Sequence, residues 1–194
     1  MYKRQGSDTV LSHFSYTFEK GFIYGITAPS GTGKTTLLNL IGNILKPAQG
    51  EIETDFKTGI AYVFQEPELL SQLTIAENIA LPLAAYLKKE IAFEQAISIL
   101  QKMELDGFEN RFPNELSFGQ QQRAAIARAL TSPSPLLLMD EPFKGLDEAL
   151  SRRIIKRIRE RQTENGQTIL FTSHNPGELH LFADKTVRLD PTSH

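Results

Sequence analysis

The chain has no cysteine. That excludes a disulfide scaffold, a thiolate zinc site, an iron–sulfur cluster and a cysteine nucleophile. Neither sign of charge is in excess: 21 Lys and Arg against 23 Asp and Glu give a formal net charge of −2. No global positive field points to nucleic acid, so an anionic partner would have to be met locally. Long apolar runs are also missing. A helix needs roughly 18 consecutive apolar residues to cross a bilayer, and the early run Phe22-Ile23-Tyr24-Gly25-Ile26 is far shorter. The basic start Met1-Tyr2-Lys3-Arg4-Gln5-Gly6 is not followed by a signal-peptide core. The expectation is a cytoplasmic protein that meets a membrane only through another protein. Repeats and low-complexity segments are absent too. What remains is a chain of 194 residues, 40% hydrophobic and 23% charged, which suits one globular domain or one domain with an inserted subdomain.

Strand signals come early. Residues Val10 to Phe18 alternate loosely, Gly21 marks a turn, and Phe22 to Thr27 reads as a buried strand. Thr35 to Leu45 carries Leu37, Leu38, Leu40, Ile41, Ile44 and Leu45 at helical spacing, and Lys46-Pro47 closes that helix. Ile60 to Phe64 reads as another strand. From residue 71 to about 130 the character changes. Ala92, Ala96, Ile99 and Met103 form a helical stripe, and Gln120 to Leu130 is helical by its alanines. Strands return at Leu136 to Met139 and Thr168 to Phe171, with a helix from about Leu146 to Gln162 between them. A last strand is expected near Val187 to Leu189. βα units flanking a helical middle imply a mostly parallel sheet with a helical insertion.

Between the strand ending at Thr27 and the helix starting at Thr35 lies Ala28-Pro29-Ser30-Gly31-Thr32-Gly33-Lys34-Thr35. Backbone N–H groups of such a turn converge on an anion at a helix N-terminus, where the dipole adds to the attraction. Gly31 and Gly33 let the backbone approach phosphates, Lys34 can reach the β- and γ-phosphates, and the Thr35 hydroxyl can hold Mg²⁺. Ser30, Thr32 and Thr36 complete the cradle. The usual pattern opens on glycine, and here Ala28 stands there. Pro29 already confines residue 28 to extended angles that alanine accepts, so a working loop is expected.

The strand Leu136 to Met139 ends in Asp140-Glu141-Pro142. It delivers two carboxylates to the carboxyl edge of a parallel sheet, where ligands bind in such folds. Asp140 can hold Mg²⁺ through water, and Glu141 can polarise a water for attack on a γ-phosphate. Leu116-Ser117-Phe118-Gly119-Gln120 precedes another helix, with Ser117 as its N-cap. That helix start can also meet phosphate.

These motifs, in this order, resemble the nucleotide-binding subunit of ATP-binding cassette (ABC) transporters over nearly the whole chain. The segment from Leu116 to Gln120 resembles the family's Leu-Ser-Gly-Gly-Gln signature, with Phe118 in place of the first glycine. The resemblance implies a P-loop NTPase (RecA-like) fold. Its α/β core, residues 1–70 and 131–194, would carry an N-terminal antiparallel β part, and residues 71–130 would be the helical signature subdomain of a single ABC ATPase domain. It further implies ATP and Mg²⁺ as cofactors. Gln65 resembles the glutamine that senses Mg²⁺ and the attacking water, and His174 the switch histidine on the γ-phosphate. Asp147, in Gly145-Leu146-Asp147, resembles the loop that crosses the dimer interface, and Tyr2, 32 residues before Lys34, the aromatic that stacks on adenine. Two such chains would stack head to tail, the Lys34 loop of one facing Ser117, Gly119 and Gln120 of the other across ATP.

The expected partners are transmembrane permease subunits, a second and identical cassette, and an extracytoplasmic solute-binding protein, with the chain peripheral on the cytoplasmic face of the membrane. Glu66 to Leu70 and Leu73 to Asn78, with Asp140 to Phe143, resemble importer subunits of the nitrate, sulfonate and taurine class. The alternatives are an exporter ATPase, a soluble ABC ATPase acting on nucleic acid or ribosomes, and a regulatory binder that does not hydrolyse ATP. Only 83 residues separate Lys34 from Ser117, which leaves no room for the coiled coils of the DNA-repair members. Members of the translation-factor type usually carry two cassettes. Glu141 and His174 argue against a non-hydrolysing binder. The basic helix with Arg152, Arg153, Lys156, Arg157, Arg159 and Arg161 is expected to be a solvated face over Ile154, Ile155 and Ile158, not a nucleic-acid surface. With the last strand expected near Val187 to Leu189, the C-terminal regulatory domain that some importers carry is not expected here.

Overall fold

A computed structural model describes residues 3–5, 8–11, 14–29, 31–54 and 59–189. Tyr2 and Ser30 lie outside the described residues. The chain opens with an antiparallel pair, β1 (Lys3–Gln5) and β2 (Asp8–Leu11). The main sheet is built from β3 (Ile23–Thr27), β4 (Ile60–Val63), β5 (Leu136–Asp140), β6 (Thr168–Thr172) and β7 (Lys185–Arg188). Its order is β4-β5-β6-β3-β7, and every pairing is parallel.

The central strands are apolar on both faces, as a parallel sheet covered on both sides requires. Side chains alternate between two cores with the period of two that a strand imposes. Leu137, Met139, Ile169 and Phe171 enter one buried cluster, while Leu136, Leu138 and Leu170 enter the other. The second cluster is closed by α1 (Lys34–Ile41) through Leu37, Leu38, Leu40 and Ile41. The first is closed by α5 (Glu148–Asn165) through Ile154, Ile155 and Ile158, and by Phe182 of α6 (Pro176–Phe182).

The middle of the chain forms α2 (Ile75–Ala80), α3 (Lys89–Lys102) and α4 (Phe118–Thr131). The predicted stripe of Ala92, Ala96, Ile99 and Met103 is buried. Ala96, Ile99 and Met103 belong to the same continuous cluster as Val63 of β4 and Leu137 of β5. Asn78, fully buried on α2, holds the preceding loop by donating to the carbonyls of Leu70, Leu73 and Thr74 and accepting the Leu70 N–H at 2.8 Å.

Three local expectations are corrected. The first helix stops at Ile41, not Leu45. Gly42 is the C-cap, its N–H donating to the Leu38 carbonyl at 2.7 Å, Asn43 turns to φ 56, and the N–H groups of Ile44 and Leu45 both fold back to the Asn39 carbonyl. The alternation from Val10 to Phe18 is strand only as far as Leu11. Beyond it Tyr16 and Phe18 pack as an aromatic cluster on Tyr24, with ring centroids 6.1 and 5.0 Å away. The last strand begins at Lys185, two residues before the expected start, and ends at Arg188.

Candidate nucleotide site

The turn from β3 into α1 takes the shape its glycines permit. Gly31 and Gly33 stand at φ 78 and 95, angles that L side chains rarely adopt. Ala28 is not among the residues with positive φ, so the missing first glycine leaves no strain in the backbone. Thr32 closes the turn, its hydroxyl and N–H donating to the Pro29 carbonyl at 2.8 and 3.3 Å. Lys34 is buried, and its Nζ reaches back across the loop to the Ala28 carbonyl at 3.1 Å. An ammonium has three donor hydrogens, so this contact leaves capacity for phosphate oxygens. Burial lowers the Lys34 pKa, while the carboxylates of Glu141 and Asp140 pull it back up. Thr36 lies half-buried in the first turn of the same helix.

Strand order brings the remaining chemistry to the same sheet edge. The Thr35 hydroxyl donates to Asp140 Oδ2 at 2.6 Å. Asp140, 2% exposed at the end of β5, accepts the Thr172 hydroxyl on its other oxygen at 2.6 Å. Thr172 in turn accepts the N–H of Glu141 at 2.9 Å. Glu141 stands at φ 46, one of the few positive values at a non-glycine residue. Such a backbone costs on the order of 1–3 kcal/mol and persists where its surroundings enforce it. Its Oε1 lies 2.7 Å from His174 Nε2, and the carboxylate is about one-quarter exposed. Gln65 stands two residues past the end of β4 and is half-buried. Tyr62, on β4, donates to Asn39 at 2.9 Å, and burial with nearby Asp140 pushes its pKa up.

The signature segment forms a full capping box. Ser117 Oγ accepts the Gln120 N–H at 3.4 Å, and Gln120 Oε1 accepts the Ser117 N–H at 2.8 Å. Ser117 is exposed, and its hydroxyl keeps its own hydrogen for another acceptor. Gly119 packs on the loop ahead of α5: a Cβ there would stand 2.9 Å from the Gly145 carbonyl. Asp147 is exposed and caps α5 by accepting the Leu150 N–H at 2.9 Å. Phe118 fills the space beside Gly145, where a Cβ would come within 2.8 Å of its ring at a φ of 79. Lys144 sits 5.9 Å from the Phe118 ring and 3.4 Å from Glu66.

The sequence did not single out Thr172, Lys144 or Glu178. Thr172 pairs with Asp140 in the β5–β6 register, and strand order is not readable from one sequence. Four of the basic residues on α5 are already matched: Arg152 to Glu148, Arg153 to Glu104, Arg157 to Glu160 and Arg159 to Asp184.

A glycine-turned loop running into a helix, and an aspartate on the strand edge bonded to the helix's first threonine, define a P-loop nucleotide hydrolase. Comparison with known proteins narrows the class. Residues 11–144 match the family described as ABC transporter, and the chain belongs to that family as one of its ATP-hydrolysing cassettes. It is 38% identical over 184 residues to the thiamine import ATP-binding protein ThiQ of Shigella flexneri, covering 90% of this chain and 79% of that protein. The same protein of Escherichia coli (strain UTI89) matches to the same extent. The dimeric post-hydrolysis structure of the ATP-binding cassette MJ0796, bound to ADP and Pi, superposes with a TM-score of 0.89 at 32% identity, covering 98% of this chain and 91% of that one. A second dimeric MJ0796 structure gives 0.88 at 31% identity. Among the described residues no helix is long and apolar enough to cross a membrane.

Proposed function

We propose that the chain is the ATPase subunit of an importer of a small solute, working as a head-to-tail pair on the cytoplasmic side of transmembrane permease subunits. A second, identical chain completes each nucleotide site, and an extracytoplasmic solute-binding protein delivers cargo to the same system. The relatives above are named for thiamine import, which favours import over export. They are not named for nitrate, sulfonate or taurine, so the solute is proposed only as a small water-soluble molecule. The ion pairs along α5 favour a neutralised face over contact with nucleic acid.

In this reading the loop Ser30 to Thr36 wraps the phosphates, with Lys34 on the β- and γ-phosphates, and Tyr2 stacks on adenine. Magnesium, bound with the nucleotide, supplies charge that neutralises the phosphate oxygens. Thr35, Asp140 and Gln65 would hold it, a small all-oxygen set that suits a cation keeping water and phosphate ligands. Glu141 takes the proton of the attacking water as its oxygen bonds to the γ-phosphorus and ADP leaves. His174 holds Glu141 and faces the γ-phosphate. Ser117, Gly119 and Gln120 close the site from the second copy with the positive end of α4, and Asp147 lines the contact between copies. Residues 71–130 act as the signature subdomain that couples this closure to the permease.

The observation that carries the reading is the 2.6 Å bond from Thr35 to Asp140, which joins the phosphate loop to the acidic strand edge. It is tested by ATP binding and hydrolysis of Lys34→Ala. ATP affinity is expected to fall about 10- to 100-fold, the range for losing a charged hydrogen-bond partner, and turnover to fall to background. Unchanged affinity and turnover would contradict it.

A further inference from the structure

His174 stands on a short turn, Ser173 to Asn175, between β6 and α6. A side chain on a turn is only as well aimed as the backbone under it, unless neighbours lock that backbone. The lock here is Ser173, which is 2% exposed. Its N–H reaches the Ile26 carbonyl at 3.4 Å. Its hydroxyl accepts the Asn175 N–H at 3.0 Å and donates to Glu178 Oε2 at 2.5 Å. With Asn175 on the acceptor side, the hydroxyl hydrogen is committed to Glu178, so the polarity of the chain is fixed. Glu178 lies in the first turn of α6, a helix anchored in the core by fully buried Phe182. The turn carrying His174 is thereby pinned at Ile26 of β3 and at α6.

Glu178 is half-buried, and burial pushes its pKa up, with Glu141 adding in the same direction and the Ser173 bond opposing. A carboxylate in that place is costly unless its acceptor capacity is used.

We infer that Glu178 is a positioning residue for ATP hydrolysis: through Ser173 it fixes the turn that sets His174 Nε2 at 2.7 Å from Glu141 Oε1. The inference rests on the reading of Glu141 and His174 as the hydrolytic pair. It separates two roles for α6, one as a cover for the core and one as the anchor of the histidine.

The test is a double-mutant cycle on the purified full chain, read as kcat, KM for ATP and melting temperature. Ser173→Ala and Glu178→Ala are each expected to lower kcat about tenfold, the scale of losing an outer hydrogen-bond partner, with KM for ATP unchanged. Glu178→Gln, whose amide oxygen also accepts, restores most of that rate. In a His174→Ala background neither alanine substitution lowers kcat further. Full kcat in Ser173→Ala, or an equal loss with and without His174, overturns the inference. If Glu178→Ala does not fold, Ser173→Ala and Glu178→Gln decide. Full kcat in His174→Ala alone would sink the reading of the pair itself, a different failure from an independent loss at Glu178.

Discussion

Thr172 gives its hydroxyl hydrogen to Asp140 at 2.6 Å and takes the N–H of Glu141 at 2.9 Å. One hydroxyl thus ties the Asp140 carboxylate to the backbone N–H of Glu141 and holds Glu141 in its positive-φ turn. Thr172→Val keeps the shape and removes both bonds. Leaving buried Asp140 and the Glu141 N–H short of a partner is expected to cost about 1–3 kcal/mol of stability. It should also lower kcat at least about tenfold. Chemical denaturation and steady-state turnover check both, and wild-type turnover would show that the backbone of Glu141 needs no such support. Lys34 presents a different balance. Its ammonium is desolvated against the Ala28 carbonyl and beside two carboxylates, a setting that phosphates would complete on the proposed reading.

The helices and strands show where sequence reading succeeds and where it stops. The glycine turn into α1, the acidic end of β5 and the Ser117 cap are legible in the sequence because each is a local pattern set by residues a few positions apart. The pattern predicts α1 too long because Ile44 and Leu45 extend the apolar stripe past Gly42-Asn43, where the backbone turns away. The helix α6 is too short to show an apolar stripe in the sequence, although Asn175 capping and Pro176 at its first position are start signals. Thr172 and Lys144 depend on which strands and loops become neighbours, and no spacing in one chain states that. The seat of Phe118 on Gly145 is of the same kind. It joins the start of α4 to the loop before α5, and Lys144 extends the link to Glu66. Gly145→Ala is expected to destabilise the chain, because it adds both a positive-φ penalty of about 1–2 kcal/mol and a clash with the Phe118 ring. Adding Phe118→Gly should recover the clash but not the backbone penalty. A shift in the denaturation midpoint that Phe118→Gly leaves untouched would show that the ring does not press on Gly145.

At the scale of the whole molecule, the order β4-β5-β6-β3-β7 sends Gln65, Asp140, His174 and the Lys34 loop out of one edge of the sheet. That is the edge where parallel sheets bind ligands. The signature is presented differently, at an exposed helix start, and Ser117 keeps a hydrogen to donate. On the proposed reading, a single chain offers two unlike faces toward phosphate, the Lys34 loop and the Ser117 helix start, and a head-to-tail pair would bring them together twice. The most direct measurement is sedimentation of Glu141→Gln, in which bound ATP should not turn over, with and without ATP. The protein is expected to be a monomer without nucleotide and a dimer holding two ATP at saturation. Ser117→Arg in the same chain is expected to abolish the dimer while leaving ATP bound. A monomer at saturating ATP, or a dimer indifferent to Ser117→Arg, would contradict the head-to-tail pairing.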